Sequence, residues 1–209
     1  MKLPLHLKLK KKVHQDIAYA QDIMMEEAYV FFPKAVFHGG TAIWRCYNGN
    51  RFSDDIDMYL PTKENIDEFF AQLEKRGFIV LKKRIKNNSL YSLLVFMRVQ
   101  VRFEALFVKK QTAILREYET VEGTLFNVFT LSASELLDEK IAAFLKRKKI
   151  RDLYDIFFLL RYCERGKVLP LKEIMESKIE DKENLSAIIL SGPIPTAEEM
   201  KRYIESWVK

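Results

Sequence analysis

Cysteine is nearly absent: Cys46 and Cys163 are the only two in 209 residues, and each falls in a stretch of helical spacing. No Cys/His cluster has the spacing of a zinc site, so the sequence predicts two buried thiols in a reducing compartment. Long apolar runs are missing as well. No stretch reaches the roughly 20 residues that a membrane span needs. Met1-Lys2-Leu3-Pro4 leads into charged residues without the apolar run of a secretion signal. Together these absences predict a cytoplasmic protein with no membrane partner. There is no internal repeat or low-complexity tract. With 48% hydrophobic content the chain is long enough for one packed core plus a smaller attached unit.

Charge is present in quantity and unevenly placed. Lys and Arg number 35 against 29 Asp and Glu, a formal charge of +6. The excess is concentrated in residues 8–12, 82–86 and 146–151. Such a surface attracts polyphosphate and nucleic acid, although each run taken singly also suits a solvated loop or helix end.

Hydrophobic period organises the chain into two parts. Apolar residues at helical spacing predict a helix over 13–31, closed by Pro33. A short buried strand over 35–38 follows, then a tight turn at Gly39-Gly40 and a helix over 41–47. Asn48-Gly49-Asn50 reads as a loop. A strand over 56–60, an amphipathic helix over 64–76 closed by Gly77, and a strand over 78–85 come next. Asn87-Asn88-Ser89 predicts a hairpin turn, with β-rich stretches over 89–98 and 99–108 and further strands over 113–118 and 124–130. At Ser132 the period changes. Ser132 and Glu135 have the spacing of a capping box, in which each side chain satisfies a backbone donor at the helix start. Helices are expected over 132–147, 151–163, 171–178 and 196–208. The expected architecture is α+β: a mixed sheet flanked by helices over 1–130, then a helical unit over 131–209.

The residues able to carry chemistry stand near the middle of the first part. Asp55 and Asp57 are one residue apart in a strand, so both carboxylates leave one face while Ile56 and Met58 enter the other. Two hard oxygen ligands suit Mg²⁺ or Mn²⁺, which keeps coordination positions for water and substrate phosphates. An isolated Asp-x-Asp is also common on exposed strand ends. The preceding His38-Gly39-Gly40-Thr41 puts a helix start, with unpaired backbone donors and a positive dipole end, close to the carboxylates in the chain; by itself it also reads as an ordinary strand-to-helix turn, with His38 structural. Glu104 lies on the opposite face of its strand from Val99, Val101, Phe103 and Ala105. It is a candidate third metal ligand for two-metal transfer, or else a solvated residue paired with Arg102. The aromatic pairs Phe69-Phe70 and Phe157-Phe158 read as core.

His38-Gly39-Gly40-Thr41-Ala42, then Arg51-Phe52-Ser53-Asp54-Asp55-Ile56-Asp57, then Lys140 with Arg151-Asp152-Leu153-Tyr154-Asp155 resemble the AbiEii/AbiGii nucleotidyltransferase toxin family of the DNA polymerase beta superfamily. The resemblance covers roughly residues 38–160. It implies a nucleotidyltransferase-type fold and transfer of a nucleoside monophosphate from a nucleoside triphosphate to an acceptor hydroxyl. The implied acceptor is RNA, at the 3′ end of tRNA, and the implied role is that of a toxin held by an antitoxin. By the same resemblance Asp55 and Asp57 bind metal, Gly39, Gly40 and Thr41 hold triphosphate with Arg51 and Ser53 as further phosphate contacts, and Lys140 and Asp152 complete a site in the cleft between the two parts. Lys140 can present a point charge to triphosphate. Asp152 and Asp155, at i and i+3, share a helical face from which either can orient it; the alternative is a surface ion-pair set with Lys148, Lys149 and Arg151. Two other functions remain open on the sequence: nucleotidyl transfer to a protein or small molecule, and a catalytically silent module that binds RNA or a partner.

Overall fold

The computed structural model describes residues 5–110, 112–164, 168–179 and 183–208; Met1-Lys2-Leu3-Pro4 fall outside them. The chain divides into two compact units, Met1–Asn48 with Phe52–Leu131, and Gly49–Arg51 with Ser132–Lys209.

The first unit opens with α1 (Leu5–Lys8) and α2 (Lys12–Phe31), followed by β1 (Val36–His38), α3 (Gly39–Cys46), β2 (Asp55–Leu60) and α4 (Ile66–Lys75). Five strands then follow: β3 (Phe78–Lys86), β4 (Ser89–Phe96), β5 (Val99–Phe107), β6 (Ile114–Glu119) and β7 (Leu125–Thr130). The seven strands among the described residues form one sheet in the order β3-β4-β5-β2-β1-β7-β6. The sheet is mixed, because β2 runs parallel to β5 and antiparallel to β1, while β1 runs parallel to β7. The expected α+β class is therefore the observed one.

Local sequence explains most of these elements. In β2 the alternation is complete: Ile56, Met58 and Leu60 are buried, and Asp55, Asp57 and Tyr59 are half-exposed. Asn87 takes the left-handed conformation (φ 49°) in the β3–β4 hairpin, a position asparagine tolerates better than most residues. The core lies on the Ile56 face of the sheet, where the Phe69 ring of α4 meets Phe32 edge-on at 5.7 Å and Phe103 at 5.0 Å. Each such side chain contributes roughly 1.5–3 kcal/mol through burial.

One buried charge fixes α3. Arg45 lies between the rings of Trp44 (4.1 Å) and Tyr118 (4.9 Å) and pairs with Asp22 at 3.0 Å. It also donates to the carbonyls of Ala18 (2.9 Å) and Glu119 (2.8 Å). A buried guanidinium is tolerated only when it is paired and hydrogen-bonded, and these partners tie α3 to α2 and β6. The glycine pair does not form a turn ahead of this helix as expected. Gly39 itself opens α3, because a residue at φ 75° redirects the chain without a separate loop.

The second unit contains α5 (Ala133–Arg147), α6 (Ile150–Leu159) continued by a 3₁₀ turn over Leu160–Tyr162, α7 (Val168–Glu176) and α8 (Ala197–Val208). The capping box is present: Ser132 Oγ accepts from the Glu135 N–H at 3.3 Å, and Glu135 Oε2 accepts from the Ser132 N–H at 2.9 Å. Thr196 and Glu199 repeat it ahead of α8, at 3.2 and 2.7 Å. Gly49–Arg51 joins this unit through the Leu190 N–H, which donates to the Asn50 carbonyl at 2.9 Å, and through a bridge between Arg51 and Ile189. Cys46 is buried as expected, which pushes its thiol up to about 12. Cys163 is only half-buried, because the 3₁₀ turn ends the helix at Tyr162 and leaves it in extended chain. No helix among the described residues is long and apolar enough to cross a membrane.

Candidate active site

The sheet brings Asp55, Asp57 and Glu104 onto one face. Asp57 is the register partner of Glu104 on β5 and of His38 on β1, and Asp55 is the partner of Arg102. His38 stacks on Tyr59 at 4.0 Å with an interplanar angle of 12°. Arg102 also feels the charge of Glu104, its neighbour across one residue of β5, but its closest carboxylate is another. Its guanidinium closes on Asp55, Nε to Oδ1 at 2.5 Å and Nη2 to Oδ2 at 2.6 Å, with Asp54 at 4.0 Å. Burial and the like charge of Asp54 still outweigh this arginine and push the Asp55 carboxyl up to about 7.

Gly39 packs directly on the second aspartate. A Cβ at this position would lie 2.9 Å from Asp57 Cγ and closer still to Oδ2, and the φ of 75° disfavours any side chain. Gly39→Ala is therefore expected to displace the Asp57 carboxylate, lowering activity by about 10²-fold and stability by about 1–3 kcal/mol. Turnover and thermal melting of the variant check both effects. Thr41 is fully buried, and its hydroxyl donates to the Asp55 carbonyl and, at 3.4 Å, to that of Ser53. It ties the first turns of α3 to the start of β2. Ser53 contributes its carbonyl to this link and accepts from Gln21 Nε2 at 3.0 Å.

Among the described residues no group of three or more His, Cys, Asp or Glu side chains converges to hold a metal ion. The donor chemistry nonetheless fits a hard divalent cation. Asp55 and Asp57 supply charged oxygens in the number such ions take from protein, with Glu104 beside Asp57. Burial is the largest cause of the elevated Asp55 carboxyl, with the like charges of Asp54 and Asp57 adding to it and Arg102 opposing it.

In the second unit, Lys140 and Asp152 lie in one buried ionic cluster centred on Asp155. Asp155 accepts from Arg51 at 2.8 and 2.7 Å and pairs with Lys140 Nζ at 2.8 Å. Burial alone would raise its carboxyl, but the two cations and their hydrogen bonds hold it below the usual range. Asp152 sits 3.8 Å from Lys140 and is held instead by Arg147, at 2.6 and 2.7 Å. Asp155 is thus the nearer carboxylate of Lys140, and Asp152 links Lys140 to Arg147 at the end of α5. Their partners are not the surface set Lys148, Lys149 and Arg151, since Asp152 and Asp155 are buried and face Arg51, Lys140 and Arg147. Arg51, expected at a phosphate, is the buried partner of Asp155. Arg102 and Arg147 were not singled out by motif, because each is recognised only through the carboxylate it faces.

Solved structures place this architecture among known folds. JHP933 from Helicobacter pylori matches with a TM-score of 0.65 at 15% identity, over 95% of this chain and 93% of that one. A candidate nucleotidyltransferase from the same organism matches with a TM-score of 0.62 at 16% identity, over 95% and 96%. The fold is thus of the nucleotidyltransferase type. No curated protein sequence matches the chain. The family model described as nucleotidyl transferase AbiEii toxin, type IV toxin–antitoxin system, matches residues 23–205, and the chain belongs to that family. Membership makes it a nucleotidyltransferase of a toxin–antitoxin system.

Proposed function

We propose that the protein transfers a nucleoside monophosphate from a nucleoside triphosphate to a hydroxyl of RNA, in a Mg²⁺-dependent reaction, as a toxin restrained by a partner antitoxin. The observation that carries this reading is the Asp55/Asp57 pair on the half-exposed face of β2, with the bare backbone of Gly39 against Asp57. Asp55 and Asp57 would hold the metal, with Glu104 as a third oxygen donor. When bound, the ion would neutralise triphosphate oxygens and stabilise the leaving pyrophosphate. The Gly39 and Gly40 amides, at the start of α3, are proposed to donate to phosphate oxygens, where the helix dipole favours negative charge. Lys140, held in place by Asp155, is proposed to offset triphosphate charge, with Asp152 behind it. The acceptor oxygen bonds to the α-phosphorus and loses its proton to water, the bond to the bridging oxygen of the β-phosphate breaks, and pyrophosphate departs. Neither Cys46 nor Cys163 is in a disulfide, which suits a reducing cytoplasm.

Incubation with α-labelled nucleotides, Mg²⁺ or Mn²⁺, total RNA and a protein extract tests the proposal. Label in the RNA fraction is the expected result; label only in protein or in a small molecule would redirect the acceptor, and binding of RNA without transfer under either metal would make the chain a binding module.

Proton and metal compete for Asp55, so the pH dependence has a defined sign. Above about 7 the carboxylate is ionised and open to the cation; below it a proton must first leave. Apparent Mn²⁺ affinity should fall by up to about tenfold per pH unit below that value. Titration calorimetry at pH 6 and 8 measures the change, and equal affinities at the two would remove Asp55 from the ligand set.

A further inference from the structure

Residues 82–86 carry four cations on β3, an edge strand, and the sheet register shows where they point. Lys82, Arg84 and Lys86 pair with Leu93, Tyr91 and Ser89 of β4, which in turn pair with Arg102, Glu104 and Leu106 of β5. The next partners in these rows are Asp55, Asp57 and Tyr59 of β2. Register partners share a face, so the three cations occupy the same face as the carboxylates, three strand spacings or about 14 Å away. Lys83 is on the opposite face, where it pairs with Asp67 at 2.6 Å and lies over Phe70. Arg84 and Lys86 have no carboxylate partner among the described residues, and all three cations are exposed. The ammonium of Lys82 lies 5.3 Å over the Tyr91 ring, and that ring stands between Arg84 and Glu104.

We infer that Lys82, Arg84 and Lys86 form a track for the phosphate backbone of a single-stranded RNA acceptor, with Tyr91 as a stacking platform between the track and the carboxylates. The inference rests on the nucleotidyl-transfer reading of Asp55 and Asp57. Lysines on an edge strand also deter sheet-to-sheet pairing, but that purpose does not require three cations in line with the carboxylate rows. Alternate residues of a strand are about 6.8 Å apart, comparable with the phosphate repeat of an extended nucleic acid strand. A base against Tyr91 would lie between this backbone and Glu104. Stacking on an aromatic ring accepts any base, so such a surface recognises single-stranded character rather than sequence.

The test separates binding from catalysis. In an Asp57→Asn background, a fluorescein-labelled single-stranded RNA 12-mer is titrated by anisotropy between 50 and 200 mM salt. K82Q/R84Q/K86Q should make the slope of log affinity against log salt shallower by about 2, given roughly 0.7 per phosphate contact. Tyr91→Leu should weaken binding roughly tenfold with the slope unchanged. K10Q/K11Q/K12Q alters net charge equally and should leave the slope as it was. An unchanged slope in the β3 variant, an equal loss in the control, or no binding of RNA by the parent protein would overturn the inference. Transfer assays with Asp57 restored distinguish the two readings. If the β3 variant loses RNA binding and the wild-type protein transfers no nucleotide, the track stands and the transfer reading fails. If transfer proceeds and the β3 variant has an unchanged KM for RNA, the track alone fails.

Discussion

Asp57→Asn is expected to lower nucleotidyl transfer by about 10³-fold while leaving the fold intact. Asparagine keeps the shape of the side chain and removes its charge, so a bound cation would keep an oxygen ligand but lose the electrostatic term. Metal stabilisation of a transferring phosphoryl group is worth several kcal/mol, and each 1.36 kcal/mol is tenfold in rate. Asp57 is half-exposed on the sheet face, so the backbone register with His38 and Glu104 should persist. Asp54→Asn is the control. Its side chain is 52% exposed and lies 4.0 Å from Arg102, outside the β2 alternation, and its loss should change the rate only a few-fold while lowering the Asp55 carboxyl from its elevated value. Incorporation of α-labelled nucleotide with circular dichroism on each variant makes the comparison. An Asp57→Asn protein keeping more than a tenth of the wild-type rate would sink the proposed mechanism.

The features readable from sequence were those decided by neighbours in the chain. Alternation placed Asp55 and Asp57 on one face of β2, and the Ser132/Glu135 spacing located the start of α5. Asn87 and Asn88 marked the hairpin between β3 and β4. What escaped depended on pairing at a distance. Arg102 meets Asp55 only because β5 runs parallel to β2 in that register, across 47 residues. Arg51 meets Asp155 across 104 residues, so a residue preceding the first unit's carboxylates in the chain packs with the second unit. The start of α3 differs from the sequence expectation for a different reason. A glycine pair looks like a turn by propensity, and only the contact with Asp57 shows why a residue without a Cβ opens the helix. The bond from the Thr41 hydroxyl to the Asp55 carbonyl is likewise visible only in the fold, since it joins residues 14 apart on different elements.

Asp155→Ala is expected to destabilise the second unit by about 3–5 kcal/mol, the cost of stranding buried charge when one member of an ion pair is removed. Both Arg51 and Lys140 lose their close carboxylate partner, and both are nearly buried. For a chain of this size the loss corresponds to a fall in melting temperature of about 10 °C. Arg51→Met should cost less, because Asp155 would retain Lys140 at 2.8 Å. Joining Arg51→Met to Asp155→Leu should recover part of the loss, since a well-packed apolar pair often replaces a buried ion pair without penalty. The pH dependence separates charge from packing. The Asp155 carboxyl titrates below its ordinary value of 3.8, so its stabilisation is fully present above that value and fades as pH falls through the lowered folded-state value. The stability gap between wild type and Asp155→Asn should therefore persist down to about pH 4 and narrow only in stronger acid. A gap that closes between pH 5 and 7 would show that the cluster is held by some other titrating group. If Asp155 serves only the fold, transfer in the apolar-pair variant should recover in step with the partial return of stability; if it also positions Lys140, turnover should stay low while stability partly returns.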